Sequence, residues 1–282
     1  QKNLLHNDAN ILAWREIVSD MLNDYDWETC DLGPTWVACG NPEKCRIYVI
    51  SDEHYRGEQD RENLIRMYKL IQADIEKHNY NKVELWYLGD GVDGLLHKSS
   101  LASNEGAILP AIQYANITAE CINQIQKINA VRFVCASNHT QTRALGTNRS
   151  ELAREDLGFV ISEIIKKSYR QDIKFQSSSI LNFSYMHQNI ALLHGHQKFC
   201  KSKQSLLEYW SKEYGVIPDL IFMGHYHTFK INEFGKDRYL CVAPAVKNWN
   251  GPYEQDCGFI SVGQIISMSY GKDTFEWEIL KL

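Results

Sequence analysis

From residue 46 onward, short β-branched runs alternate with amphipathic stretches of helical period, and this alternation restricts the chain more than any other feature. Runs at 46–51, 83–88 and 131–136 are separated by helical patterns at 60–78, 105–129 and 151–169. Parallel strands need crossovers of about that length, so the pattern predicts βαβ units and a sheet covered by helices. Beyond about residue 173 the runs crowd together at 180–186, 189–194, 219–223, 228–233, 238–243, 257–268 and 274–280. One helix is expected near 203–214 and a hairpin turn at Phe234-Gly235-Lys236-Asp237. Together the two textures predict an α/β (α+β) chain: two stacked mixed β-sheets flanked by helices. Residues 9–24 place Ile11, Leu12, Trp14, Ile17, Val18, Met21 and Leu22 at helical spacing until Asp31, Gly33 and Pro34 break it. The expected division is a helical lead-in over 1–45 and one large domain over 46–282.

Five of the strand-like runs lead into a side chain able to bind metal. Residues 48–51 lead to Asp52 and His54, residues 86–89 to Asp90, and residues 133–137 to Asn138 and His139. Residues 191–193 lead to His194, and residues 221–224 to His225 and His227. The carboxyl ends of strands form the rim where ligands bind in α/β sheets, so these distant positions are expected to converge. One such residue is ordinarily a cap or turn residue, whereas five endings of the same kind predict a cluster. Two carboxylates, one amide and four imidazoles exceed the needs of one tetrahedral ion and suit two ions sharing a bridging carboxylate. Two divalent cations held by two carboxylates leave a positive charge of about two, enough for an anionic phosphate and a hydroxide. Mixed nitrogen and oxygen ligands without thiolate suit Mn²⁺ first, then Fe or Zn, with Mg²⁺ less suited.

The motifs D-x-H at Asp52–His54, G-D-x-x-D at Gly89–Asp93, N-H at Asn138–His139, H-G at His194–Gly195 and G-H-x-H at Gly224–His227 resemble, in order and spacing, those of the calcineurin-like metallophosphoesterases. The resemblance implies a sandwich of two mixed sheets between helices, with phosphate-ester hydrolysis at a two-metal centre. Carried over by motif, Asp52, His54, Asp90 and His227 would hold one ion, and Asp90, Asn138, His194 and His225 the other, with Asp90 bridging. Two departures stand out. Ser137-Asn138-His139-Thr140 lacks the acidic residue that usually follows the N-H pair, which leaves Asp93 to steady His139. Gly94 stands where Ser/Thr protein phosphatases carry arginine, which disfavours that branch. Gly89–Leu96, Ser99-Ser100-Leu101 and Arg143 are similar to the phage-encoded phosphoesterases often described as DNA-repair exonucleases.

Thirty basic against thirty-five acidic side chains give a net charge of −5, which excludes a broad positive surface of the duplex-coating kind. Local basic loops remain: Arg143, Arg149 and Arg154 follow the N-H motif, and Lys198, Lys201 and Lys203 follow the H-G motif. They read either as a groove for a polyanion or as solvated charges. Tyr55, Tyr226, Trp249 and Tyr253 are candidates for stacking on bases, with packing roles as the alternative. No apolar run approaches a membrane span, the first residues lack a signal-peptide profile, and the eight cysteines include no C-x-x-C pair. A reducing cytoplasm, a host's if the protein is viral, is therefore expected, with reduced thiols.

The expected activity is that of a metal-dependent phosphodiesterase, with nuclease action on DNA as the leading reading. His139 would protonate the leaving oxygen, Asp93 would orient it, and Arg143 would clamp a phosphate oxygen. Lys198, Lys201 and Tyr226 complete the expected substrate contacts. The alternatives are a phosphodiesterase for cyclic or small nucleotides and an inactive scaffold on the same fold.

Overall fold

The computed structural model describes residues 45–94, 106–141, 156–169, 172–271 and 274–282. The chain divides into two units, Gln1–Gly33 and Pro34–Leu282, and all described residues belong to the second. Residues 1–44 of the expected helical lead-in, Arg143, Arg149 and Arg154 lie outside the described residues.

The first sheet is built from β1 (Cys45–Ile50), β2 (Lys82–Tyr87), β3 (Ile128–Val134) and β4 (Lys174–Ser178), all parallel, with β10 (Gln264–Gly271) added antiparallel beside β1 and β11 (Thr274–Lys281) antiparallel beside β10. The parallel part uses α1 (Arg61–His78), α2 (Ile108–Gln124) and α3 (Leu157–Ser168) as its crossovers. The second sheet has the order β5 (Leu181–Tyr185), β6 (Gln188–Leu193), β7 (Leu220–Met223), β9 (Arg238–Val242) and β8 (Lys230–Gly235). Its centre, β6-β7-β9, is parallel and its two edges are antiparallel, so both sheets are mixed.

Period-two alternation decides the layers. In the first sheet Ile47, Val49, Trp86, Leu88 and Val134 face Phe183, Ile190, Leu192, Leu220 and Phe222 of the second, forming the core between the sheets. The alternate residues Tyr48, Ile50, Leu85, Tyr87, Val131 and Phe133 turn to the other face and pack under α1, α2 and α3. On the far side of the second sheet, Ala191, Leu193, Ile221 and Met223 pack against Leu206 and Trp210 of α4 (Lys203–Tyr214). The four layers are helices, sheet, sheet and helix, as the strand and helix patterns require.

Element boundaries differ from the expected ones where local chemistry is decisive. The helix expected near 203–214 spans Lys203–Tyr214: the Ser202 side chain accepts from the Ser205 N–H, and Gly215 ends it in the left-handed conformation. The helix expected over 105–129 stops at Gln124, and β3 starts at Ile128. The strand expected over 257–268 begins only at Gln264, because a short helix, α5 (Pro252–Cys257), precedes it. Pro252 at its first position and Gly258 in the left-handed conformation at its end account for that helix. Strand β4 was not expected. Its sequence, Lys-Phe-Gln-Ser-Ser, is polar because it lies at the sheet edge, paired only with β3. Cys45 is disulfide-bonded, against the expectation of reduced thiols throughout, whereas Cys121, Cys135, Cys200, Cys241 and Cys257 are free. No helix among the described residues is long and apolar enough to cross a membrane.

Candidate metal centre

The centre lies where β1, β2, β3, β6 and β7 end. Asp52, His54, Asp90, His225 and His227 all have φ between 47° and 73°. A left-handed backbone costs a non-glycine residue roughly 1–2 kcal/mol; main-chain bonds hold the β1 and β2 loops in it, and His225 N–H bonds the Asp52 carboxylate at 3.0 Å. Asp52 N–H donates to Gly89 O (3.1 Å), His54 N–H to Asp90 O (3.0 Å), and Tyr55 N–H to Gly91 O (3.0 Å). The β1 and β2 loops thus run side by side and turn their side chains the same way. Strain held at one place by surrounding structure is characteristic of functional sites. Two glycines allow the close approach. A Cβ on Gly224 would meet Ser51 Oγ at 2.0 Å, and one on Gly94 would meet the His139 carbonyl oxygen at 1.8 Å. The second contact explains why residue 94 carries no side chain.

Two groups of metal-competent atoms result, Asp52 with His54 and His227, all buried, and Asp90 with His194 and His225, of which His225 is half-buried. Asn138 joins the second, its Oδ1 2.9 Å from His194 Nε2. Hydrogen-bond logic shows what these groups lack. His194 Nδ1 lies 2.8 Å from the Leu88 carbonyl, which can only accept, so Nδ1 carries the proton. The Nε2 of a neutral His194 then presents a lone pair to Asp90 Oδ2 and Asn138 Oδ1, both at 2.9 Å. His227 repeats the pattern. Its Nδ1 donates to Glu254 Oε1 (2.5 Å), and Nε2 faces His54 Nε2 at 3.1 Å and Asp52 Oδ1 at 3.3 Å. Lone pairs converging in a buried space require positive charge between them, and the imidazole, carboxylate and amide donors fit a divalent cation.

The electrostatics show the same demand for positive charge: burial lowers His194, yet Asp90 and Asp52 raise it above the ordinary histidine value. Burial pushes the Asp52 carboxyl up, but His227 and His54 overcome it and hold the group well below the usual carboxylate range. Asp90 behaves likewise, with His194 and His139 overcoming burial. Burial, assisted by His194, pushes His225 down to about 4 and keeps it neutral. Burial also lowers His227, yet Asp52 and Glu254 raise it to about 9. Protonated, His227 Nε2 donates to Asp52, so this proton and a cation answer the same acceptors and exclude one another.

His139 sits beside both groups. Its N–H donates to Asp90 Oδ1 (3.0 Å), and its Nδ1 lies 2.5 Å from Asp93 Oδ1. Asp93 Oδ1 also lies 3.6 Å from His54 Nδ1, beyond hydrogen-bond reach, so two imidazoles stand beside it where sequence reasoning gave it one. His54, Asp90 and His139 form a third group with metal-competent spacing.

The expected substrate contacts divide. Lys198 and Lys201 are exposed on the 3₁₀ turn Lys198–Lys201 that follows His194. Tyr226 is half-buried against the α4 core, its ring edge-on to His225 at 5.1 Å. Tyr55 is fully buried and unavailable for stacking. Trp249 carries the Arg56 guanidinium at 3.7 Å and the Lys247 ammonium at 4.2 Å. Tyr253 is exposed, its ring 4.8 Å from His227. Sequence reasoning missed Glu254, Lys247 and the Ser51 hydroxyl, which bonds Asp52 Oδ2 at 2.5 Å. The Gly-Pro-x-Glu string at 251–254 was the available signal for Glu254, since its Oε2 accepts from the Gly251 N–H as helix-capping acids do.

No protein-family model matches the chain. A curated relative, the SPbeta prophage-derived uncharacterized protein YonJ of Bacillus subtilis, is 26% identical over 216 residues, which is 69% of this chain and 53% of YonJ. The chain therefore spans about half the length of that relative. Among solved structures, Vps29 complexed with Zn²⁺ from Entamoeba histolytica aligns at 11% identity and a TM-score of 0.41, covering 84% of this chain and 98% of that one. A conserved uncharacterized protein described as a predicted phosphoesterase, from Streptococcus pneumoniae, aligns at 12% identity and a TM-score of 0.38, covering 84% and 88%. At such values the likeness extends to neither activity nor ligand.

Proposed function

We propose that this chain is a calcineurin-like metallophosphoesterase that holds two divalent ions and hydrolyses phosphodiester bonds, with nucleic acid as the substrate class. The observation that carries the reading is the pair of donor groups at the ends of strands from both sheets, each aiming histidine lone pairs at carboxylate or amide oxygens. Asp52, His54, Asp90 and His227 would hold one ion, and Asp90, Asn138, His194 and His225 the other. Manganese suits these donors first, with Fe or Zn next. Such ions supply Lewis acidity, neutralising the phosphate and lowering the pKa of water.

The remaining chemistry belongs to the chain. Asp93 accepts from His139 Nδ1–H and fixes the ring, so that in the imidazolium form the Nε2 proton is the one available to a leaving oxygen. Lys198 and Lys201 supply positive charge on the solvent side of the His194 loop, suited to a polyanion. Arg143 completes the proposal as a phosphate clamp read from the sequence.

Removing His139 tests the assignment, because a proton donor and a ligand fail differently. His139→Asn is expected to retain both ions yet slow hydrolysis by roughly 10² to 10⁴, with the loss shrinking for a nitrophenolate leaving group. Loss of an ion, or equal slowing of good and poor leaving groups, would refute the acid role. A panel of single- and double-stranded DNA, RNA and cyclic nucleotides with Mn²⁺ separates a nuclease from a small-nucleotide phosphodiesterase.

A further inference from the structure

We infer that Glu254, shared between His227 and a buried lysine, is the positioning residue that sets the affinity of one half of the metal centre, and that Lys247 tempers it. The inference rests on the two-ion reading above. Glu254 is fully buried on α5. Its Oε1 accepts from both His227 Nδ1 (2.5 Å) and Lys247 Nζ (2.8 Å), and its Oε2 accepts from the Gly251 N–H (2.8 Å). Because a carboxylate only accepts, the first contact places the His227 proton on Nδ1 and leaves Nε2 facing Asp52 and His54. A carboxylate behind a ligating imidazole orients the ring and strengthens it as a donor.

The rest of the segment is tied to the same site. Val246 N–H donates to Ser51 O (2.9 Å), Lys247 N–H to Asp52 O (3.3 Å) and Ala245 N–H to His227 O (3.3 Å). Ser261 Oγ holds the Lys247 carbonyl at 2.6 Å. Residues 245–261 therefore bring a charged pair from outside the five motifs to the back of one ligand. The other half of the centre is built differently: His194 is held by the neutral carbonyl of Leu88. A charged acceptor stands behind one imidazole and a neutral one behind the other, so the two halves differ in affinity and respond separately to substitution. Lys247 is 3% exposed and shares Oε1 with His227, which draws carboxylate charge away from the imidazole.

Titration of metal-free protein with Mn²⁺ by calorimetry, with the Co²⁺ absorption spectrum as a second readout, tests this. Wild type is expected to take up two ions. Glu254→Gln is expected to weaken one of them by roughly 10- to 100-fold, alter the Co²⁺ bands of that ion and leave the other within about twofold. Lys247→Met, which keeps the length of the buried side chain, is expected to tighten the same event. A merely structural role predicts that both variants weaken binding together. If Glu254→Gln does not fold, the sign of the Lys247→Met effect decides the matter. Two ions bound with wild-type affinity in Glu254→Gln, or weakening by Lys247→Met, would overturn this inference alone. A wild type that binds no Mn²⁺ would overturn the metal reading and this inference with it.

Discussion

Replacing Gly94 by alanine measures how tightly the loops of the site are pressed together. A Cβ at residue 94 would lie 1.8 Å from the His139 carbonyl oxygen and 3.0 Å from its carbon. Non-bonded carbon–oxygen contacts ordinarily begin at about 3.3 Å, so one loop must retreat by roughly 1.5 Å. Both partners are main chain, and no rotamer change relieves the clash. The retreat separates Asp93 from His139, now 2.5 Å apart, and pulls against the His139 N–H bond to Asp90. Overpacking of this kind costs about 1–3 kcal/mol of stability. Displacement of a positioned group by about 1 Å can cost about 10²-fold in rate. Turnover of two phosphodiesters, one with a nitrophenolate and one with an alkoxide leaving group, is assayed with Mn²⁺ beside denaturant unfolding. Gly94→Ala is expected to be less stable and to lose more activity on the alkoxide substrate, as His139→Asn does. Wild-type unfolding and wild-type rates on both substrates would refute the reasoning from loop contact to proton donor.

Other perturbations address separate parts of the account. Asp156, the N-cap of α3, is pushed up by burial to about 7 although Thr140 and the Gly158 N–H pull the other way. Its folded value exceeds the ordinary 3.8, so the native state binds the extra proton and stability falls as pH rises from about 4 through about 7, by up to about 4 kcal/mol. Asp156→Asn keeps the acceptor for Gly158 and is expected to flatten that fall in denaturant unfolding at pH 4.5 and pH 8; profiles parallel to wild type would show that Asp156 is ionised in the fold throughout. Asp90→Asn is expected to lower bound metal, measured by elemental analysis, and to abolish turnover, and a chelator should silence the wild type, with Mn²⁺ restoring it better than Mg²⁺; full activity in the variant would remove Asp90 from the centre. Charge reversal at Lys198 and Lys201 should weaken nucleic-acid binding and reduce the slope of log K against log salt by ~0.7 to 0.9 per lost phosphate contact, leaving a small chromogenic phosphodiester unaffected; an unchanged slope would make these lysines solvated charges.

What the sequence determined by itself is what depends on neighbours along the chain. Short apolar and β-branched runs mark β1, β2 and β6, and the Ser202 and Gly215 caps delimit the helix at 203–214. The seven candidate ligands were legible because each sits at or just beyond a strand end, and strand ends in a twisted sheet converge whatever lies between them. Their orientation was not legible. The left-handed turns at Asp52, His54, Asp90, His225 and His227 are unfavourable for the isolated residues and are held by contacts distant in sequence, the β1 loop on the β2 loop, His225 N–H on the Asp52 carboxylate and Ala245 N–H on the His227 carbonyl. The same holds for Glu254 behind His227, 27 residues further along the chain, and for the contact of Gly94 with His139. Strand β4, Lys-Phe-Gln-Ser-Ser, carries too few apolar residues to be read as a run, and its pairing with β3 sets its place. Tertiary structure decided these features because each is a local cost offset by a contact distant in sequence, which the pattern of neighbouring residues does not encode.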